Sequence, residues 1–317
     1  MKLIEVYRTA IEAGRGADLR TAKQIDALLE DEKERFEKLG AKAKAHFDKD
    51  RLWNPYTDSR LLFGAEDMEV KEMLWGIDVE PAEVLLADRL KEKGRKIDAL
   101  MAHHPEGAAT PAFHEVMHMM EPLMEEFNVP ANVAEDVIAP RIKEVQRASH
   151  PANFNRTVDA CRMLDVPMIC LHSPCDLLGQ RFAQRMLDKA KPEKVGDVVD
   201  ALMELPEYEA AAHFNSLPEV NVGERGRKAG RVMVKFAGGT SGPKEMYESL
   251  SRAGVGTFVC MHIPEAHLEE AKKAHINVIV AGHMASDSLG VNLMADIIEG
   301  EGVKIAPFSG LLRVKRK

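Results

Sequence analysis

Apolar residues in this chain fall into two kinds of run that alternate along most of its length. Short runs without polar alternation, such as 99–102, 168–171 and 278–281, fit strands buried on both faces of a parallel sheet. Longer stretches with apolar residues at helical spacing fit helices packed by one face. The pattern predicts strand 70–79 and then helix 81–93, stopped by Gly94. Strand 97–103 follows, with helices 111–127, 134–148 and 154–164, then strand 168–172 and helices 177–190, 195–204 and 208–214. The closing part runs strand 231–236, helix 243–253, strand 256–261, helix 265–274, strand 277–281, helix 286–299 and strand 303–307. Such alternation predicts an α/β fold, with largely parallel sheets covered by helices.

Residues 1–52 stand apart. They are rich in Lys and Glu, lack proline and carry apolar residues at helical spacing, so they read as a solvated helical hairpin laid on the body. Their apolar stripe (Leu3, Ile4, Val6, Tyr7, Ile11) needs cover, either from the chain's own body or from a neighbouring subunit. Residues 53–64 read as a turn-rich connection. A short internal echo relates Leu100-Met101-Ala102-His103-His104-Pro105-Glu106 to Val259-Cys260-Met261-His262-Ile263-Pro264-Glu265. It suggests two related lobes: 53–190 with His103, His104 and Asp176, and 191–317 with His283 and Asp287.

Composition narrows the function classes. The 317 residues are 45% hydrophobic and 30% charged, ordinary for a globular protein with a sizeable core. A formal net charge of −8 argues against nucleic acid as a partner. No apolar stretch approaches the roughly 20 residues that span a bilayer, so no membrane association is expected. Residues 1–6 lack a signal-peptide core, which points to the cytoplasm. The four cysteines (Cys161, Cys170, Cys175, Cys260) show no zinc-knuckle spacing and read as free thiols, with Cys175 notable beside Asp176.

The candidate chemistry lies at strand ends. Three strand-like runs stop at histidine: His103-His104, His172 and His283. Open α/β sheets gather ligands outside the carboxyl ends of their strands. Asp176 follows His172 by four residues and Asp287 follows His283 by four, so both carboxylates project over the same rim if helices begin at once. Imidazole with carboxylate suits zinc, iron or manganese, and the inventory suits two ions acting together. Side chains alternate along a strand, so His103 and His104 are expected to point to opposite sides and to serve different ions. His114-Glu115-Val116-Met117-His118 matches the zinc-protease pattern by letters, yet its Met-rich helix argues against it. His46, His150, His213 and His275 sit in polar contexts and read as solvated. His262 ends a strand and is placed to approach the site, with His267 a nearby second candidate. The turn 237–244 joins a strand to a helix and reads either as a structural tight turn or as an anion-binding helix start.

In order, His103-His104-Pro105, His172-x-x-x-Asp176 and Gly282-His283-x-x-x-Asp287 resemble the Nif-three-like dinuclear metal-centre proteins, the GTP cyclohydrolase type-two homologues. The resemblance runs from about Trp53 to Lys317 and includes the turn at Gly238. It implies two α/β lobes with a dinuclear site between them, and ring-like homo-oligomers, often hexamers. It places metal ligands on His103, His104, Asp176, His283 and Asp287, and the family's middle-motif histidine on His172. The family usually has Glu where this chain has Asp287, and the N-terminal helical region here is longer. The function expected is a cytoplasmic hydrolase using two divalent transition-metal ions per chain. Its substrate is a small phosphate-bearing or nucleotide-like molecule, and His172 or His262 moves a proton. The alternative is a non-enzymatic, metal-binding oligomer with a regulatory or partner-binding role. A calcineurin-type phosphoesterase does not fit, because neither Asp-x-His nor Gly-Asn-His precedes the histidine-rich end.

Overall fold

Two mostly parallel sheets, each bounded on one side by an antiparallel edge strand, organise the chain in a computed structural model that describes residues 1–316. Helices α1 (Leu3–Ala17), α2 (Ala22–Lys38) and α3 (Ala41–Lys44) come first. The first α/β unit then runs β1 (Arg60–Phe63), β2 (Glu72–Gly76), α4 (Pro81–Glu92), β3 (Ala99–Ala102), α5 (Met120–Glu126), α6 (Ala131–Ser149), α7 (Arg156–Leu164) and β4 (Met168–Cys170). Helices α8 (Ser173–Ala190), α9 (Val195–Met203) and α10 (Pro206–Ala212) lead to the second unit. That unit comprises β5 (Glu219–Val222), β6 (Arg231–Lys235), α11 (Met246–Arg252), β7 (Val255–Cys260), α12 (Glu265–Lys273), β8 (Asn277–Val280) and α13 (His283–Gly300), and β9 (Lys304–Pro307) closes the order.

The strand orders are β1-β4-β3-β2-β9 and β5-β8-β7-β6. Only β1 against β4 and β5 against β8 are antiparallel. The plan is therefore duplicated. In both units the strand beside the antiparallel edge (β4, β8) runs into a long helix that starts with a histidine motif. The registers agree too, since Gly76 pairs with Ala102 and Ala102 with Cys170, as Lys235 pairs with Cys260 and Cys260 with Val280. This register sets His262 at the position of His104 rather than His103, so the expected echo of His103 with His262 is one residue out of step with the sheets. One expectation is corrected: β9, read as part of the stretch 191–317, pairs with β2 in the first sheet.

Other differences follow from local physics. Strand β1, inside the stretch read as a connection, and β5, in a stretch given no element, are short edges where the two-residue period has little length to show itself. The predicted helix 111–127 is a 3₁₀ turn over Phe113–Met119 followed by α5. Helix α8 begins at Ser173 rather than 177, because Pro174 takes a first-turn position where its missing N–H is harmless. Leu3, Val6, Tyr7 and Ile11 of α1 are fully buried, and α1 packs on α8. The chain's own body therefore covers the N-terminal stripe. Along α2 only Ile25 and Leu29 are buried, in keeping with a solvated arm.

Helices α8 and α13 cross in the centre of the molecule. A Cβ on Gly290 would lie 2.2 Å from the Cys175 carbonyl oxygen, and one on Gly179 would lie 3.1 Å from Gly290 Cα. Only a residue without a side chain allows this approach. Farther along, α8 seals the open edge of β6. The Gln180 carbonyl accepts from the N–H groups of Phe236 and Ala237 (2.8 and 2.9 Å), and Gln184 accepts from Val234 N–H and donates to Val232 O (2.9 and 3.1 Å). Gly290→Ala is expected to lower stability by on the order of 1–3 kcal/mol, because the methyl strikes backbone that cannot rotate aside. Chemical denaturation checks this, and wild-type stability in the variant would refute the tight crossing.

Candidate metal centre

Strand β3 ends at Ala102, but the next two residues remain tied to the last residue of β2 and the one after it. His103 N–H donates to Gly76 O (2.9 Å) and His104 N–H to Ile77 O (3.0 Å). Both imidazoles face one rim, with centroids 5.2 Å apart and planes tilted by 39°. The expectation that they diverge is corrected here, because alternation governs residues inside a strand and this pair lies beyond its end. Three rings share one arrangement. Nδ1 of His103 lies 3.1 Å from Leu171 O, that of His104 2.6 Å from Asp78 Oδ1, and that of His172 2.8 Å from Asp58 Oδ2. Each geometry suits an Nδ1–H donor and leaves the Nε2 lone pair turned inward, the orientation that metal-binding histidines adopt.

The carboxylates arrive on the two crossing helices. His172 caps α8, and Asp176 stands in its first turn. Before α13, Gly282 adopts φ 102°, a left-handed conformation that favours glycine; His283 thereby opens the helix and Asp287 follows one turn later. Asp176 Oδ1 lies 3.3 Å from His103 Nε2, and its Oδ2 lies 3.7 Å from His172 Nε2. Asp287 is the hub. Its Oδ1 is 3.6 Å from His103 Nε2, and its Oδ2 is 3.3 Å from His104 Nε2 and 3.4 Å from His283 Nε2.

His103 Nε2, Asp176 Oδ1 and both Asp287 oxygens are buried and, among the described residues, have no hydrogen-bond partner. Leaving such atoms unsatisfied is costly, and several of them facing one space call for a cation. The triads His103/His104/His172, His104/His283/Asp287 and His103/Asp176/Asp287 each bring one donor atom per residue within 4.8 Å of one another. These nitrogen and oxygen donors fit a divalent transition metal. The electrostatics agree. Burial alone would push His103 down, yet Asp176 and Asp287 hold its pKa well above the ordinary imidazole value. Burial would likewise raise Asp287, but His103 and His104 hold it far below the carboxylate range.

One solved structure similar to this chain is that of a NIF3 superfamily protein from Sphaerobacter thermophilus. It is 34% identical, with a TM-score of 0.71, over 80% of this chain and 92% of that one. The chain belongs to the NIF3 superfamily. Reduced HcgD from Methanocaldococcus jannaschii is also similar, at 10% identity and a TM-score of 0.49 over 78% of this chain and 87% of that one. No family model and no curated protein matches.

In this NIF3 superfamily chain the five residues expected to ligate metal, His103, His104, Asp176, His283 and Asp287, converge on one rim together with His172. His262 stands beside His283 (centroids 5.1 Å apart), and its Nδ1 is 3.4 Å from Ser241 Oγ. Burial lowers the His262 pKa to about 4. His267 is buried farther out, edge-on to Tyr247. His46, His150, His213 and His275 are exposed as expected. The zinc-protease pattern does not assemble: a 3₁₀ turn carries it, His114 is buried while His118 is exposed, and Arg51 grips Glu115 at 2.6 and 3.1 Å. All four cysteines are free and buried, and burial raises the Cys175 pKa. A cleft of about 370 Å³ opens beside the rim and reaches the glycine-rich turn.

Asp58 and Asp78 were missed by sequence reasoning. Asp78 lies just past β2, so the strand-end rule applied to acids would have found it. Asp58 gave no such signal, sitting in what read as a polar turn. It is fully buried and accepts from His172 Nδ1–H (2.8 Å) and Ser173 Oγ–H (2.6 Å). Burial would raise its pKa, but these donors hold it below the ordinary 3.8. The contribution of a depressed carboxylate is present above its unfolded value and lost as pH falls through the folded one. Asp58→Asn is therefore expected to cost about 2 kcal/mol at neutral pH. The gap to wild type should narrow as pH drops below 3.8. Urea melts across pH test this; a gap that widens in acid would contradict the assignment.

Proposed function

We propose that this protein is a hydrolase using two divalent transition-metal ions (zinc, iron or manganese) per chain. Its substrate is a small phosphate-bearing or nucleotide-like molecule, and its compartment is the cytoplasm. One observation carries the reading: the buried, unpartnered oxygens of Asp176 and Asp287 face inward-turned imidazoles at the mouth of an open cleft. A purely structural metal site is normally closed around its ion, so the adjoining cleft favours catalysis over the regulatory alternative. Bound metals would supply a water acidified to near-neutral pKa and polarise the bond under attack.

His103, His104, Asp176, His283 and Asp287 would hold the ions. His172 is oriented through Nδ1 by Asp58, which leaves Nε2 free to hold or pass a proton near Asp176. His262, with its pKa lowered to about 4, is neutral at physiological pH and lines the cleft beside His283, where its ring would hydrogen-bond substrate or, once a bound substrate raises its basicity, take a proton. Among the described residues, no helix is long and apolar enough to cross a membrane.

Elemental analysis of purified protein is expected to find about two transition-metal ions per chain. His104→Ala should lose at least one, and Asp287→Ala both, since a single carboxylate faces His103, His104 and His283. A protein that neither contains nor takes up metal would end this reading, and metal without metal-dependent turnover would favour the regulatory one. We also propose a homo-oligomer. The N-terminal stripe is already covered, so the supporting surface is Leu85 and Leu86 of α4 with Met163 of the adjacent α7, which are 58%, 48% and 85% exposed. Light scattering should give the same assembly before and after chelation; a monomer in both states would refute it.

A further inference from the structure

The duplicated plan gives the two sheet rims matching positions, and the second rim carries a residue that the first does not. Gly76 pairs with Ala102 at the end of β2; at the matching place on β6, Lys235 pairs with Cys260. The Lys235 side chain lines the cleft and is only 7% exposed. Its Nζ donates one hydrogen bond, to Thr240 O at 2.5 Å, and among the described residues it forms no ion pair. Lysine is almost never buried without a counter-charge.

The surroundings show where that counter-charge belongs. Residues 236 and 237 are pinned by Gln180, so Lys235 sits on the sealed, rigid edge of the sheet. Turn 238–242 packs on Val116, Met117 and Met120, which fixes the Thr240 carbonyl on the ammonium. An ammonium has three N–H donors and this carbonyl takes one. Phe113 is a half-buried apolar wall of the same cleft, with Tyr247 and Phe258 packed almost fully buried behind the lining, and the cleft's other end is the rim with His104, His283 and Asp287.

We propose that Lys235 is the anion anchor of the cleft. It pairs with a phosphate or carboxylate group of a small ligand whose apolar body lies against Phe113 and whose far end reaches the rim. This rests on reading the cleft as the substrate site, and it deepens that reading by separating the group that is recognised from the group that reacts. Burial pushes the lysine pKa down to about 8, and the charge of Asp176 at the rim offsets only part of that cost.

The test uses anion binding rather than turnover, so it is independent of whether the protein proves to be a hydrolase. Metal-loaded wild type, Lys235→Met and Lys235→Arg are titrated by calorimetry with inorganic phosphate and, separately, with benzoate. Metal content is checked by elemental analysis. The Met variant should bind the preferred anion about ten-fold more weakly, with the metal content unchanged and the Arg variant keeping most of the affinity. A loss confined to phosphate assigns a phosphoryl group, and a loss confined to benzoate assigns a carboxylate. Equal affinity in wild type and Lys235→Met would show that the anions sit on the metals alone and would overturn the proposal. A melting temperature without anion well below wild type for Lys235→Met would also overturn it, marking the lysine as a structural strut through Thr240. Removing an unpaired buried charge should instead preserve or raise that temperature. Lysine-dependent anion binding without turnover would refute the hydrolase reading and leave the anchor in place.

Discussion

The centre of this molecule is a contact between two backbones. Helices α8 and α13 approach at Gly179 and Gly290 closely enough that no side chain fits between the Gly290 Cα and the Cys175 carbonyl. That crossing places the starts of both helices at one rim, and it is the reason Asp176 and Asp287 can both face His103. Separated by an ordinary helix–helix distance of about 8–10 Å, the two carboxylates would serve different surfaces.

The site bought by this crossing is electrostatically expensive. Two carboxylates and several imidazoles are buried with atoms left unpaired. The surrounding structure keeps them in place through outer contacts. Asp58 and Asp78 orient His172 and His104, and Leu171 O orients His103. Helix α1 backs α8 from the far side, with Tyr7 donating to Ser59 O at 2.8 Å and so anchoring the segment that holds Asp58. The N-terminal helical region therefore buttresses the site from behind.

Much of this was legible in residue order. Unalternated runs ending at His103, His172 and His283 gave the parallel strands, and the matched four-residue steps to Asp176 and Asp287 gave the rim. The rest depended on tertiary structure. Nothing local distinguishes Asp58 from a solvated turn residue, because its burial comes from β4 and α1, far away in sequence. The shared direction of His103 and His104 depends on hydrogen bonds to Gly76 and Ile77 at the end of β2. The 3₁₀ turn over Phe113–Met119 keeps the letters of an α-helical zinc motif while changing their angular spacing. Strands β1 and β5 become strands only by pairing with β4 and β8.

Strand β9 has a consequence for motion. Because the chain leaves the first sheet after β4 and returns to it through β9, the second sheet is joined to the first by two covalent crossings. A domain hung on a single linker can swing, whereas one held at both ends resists rotation about any axis that separates the attachments. Gln180 and Gln184, reaching from α8 into β6, add a lock against shear. The cleft thus lies between two halves whose relative rotation is confined to the axis running through both crossings. The turn at 238–242 lies along the cleft, on the second half's side of that axis.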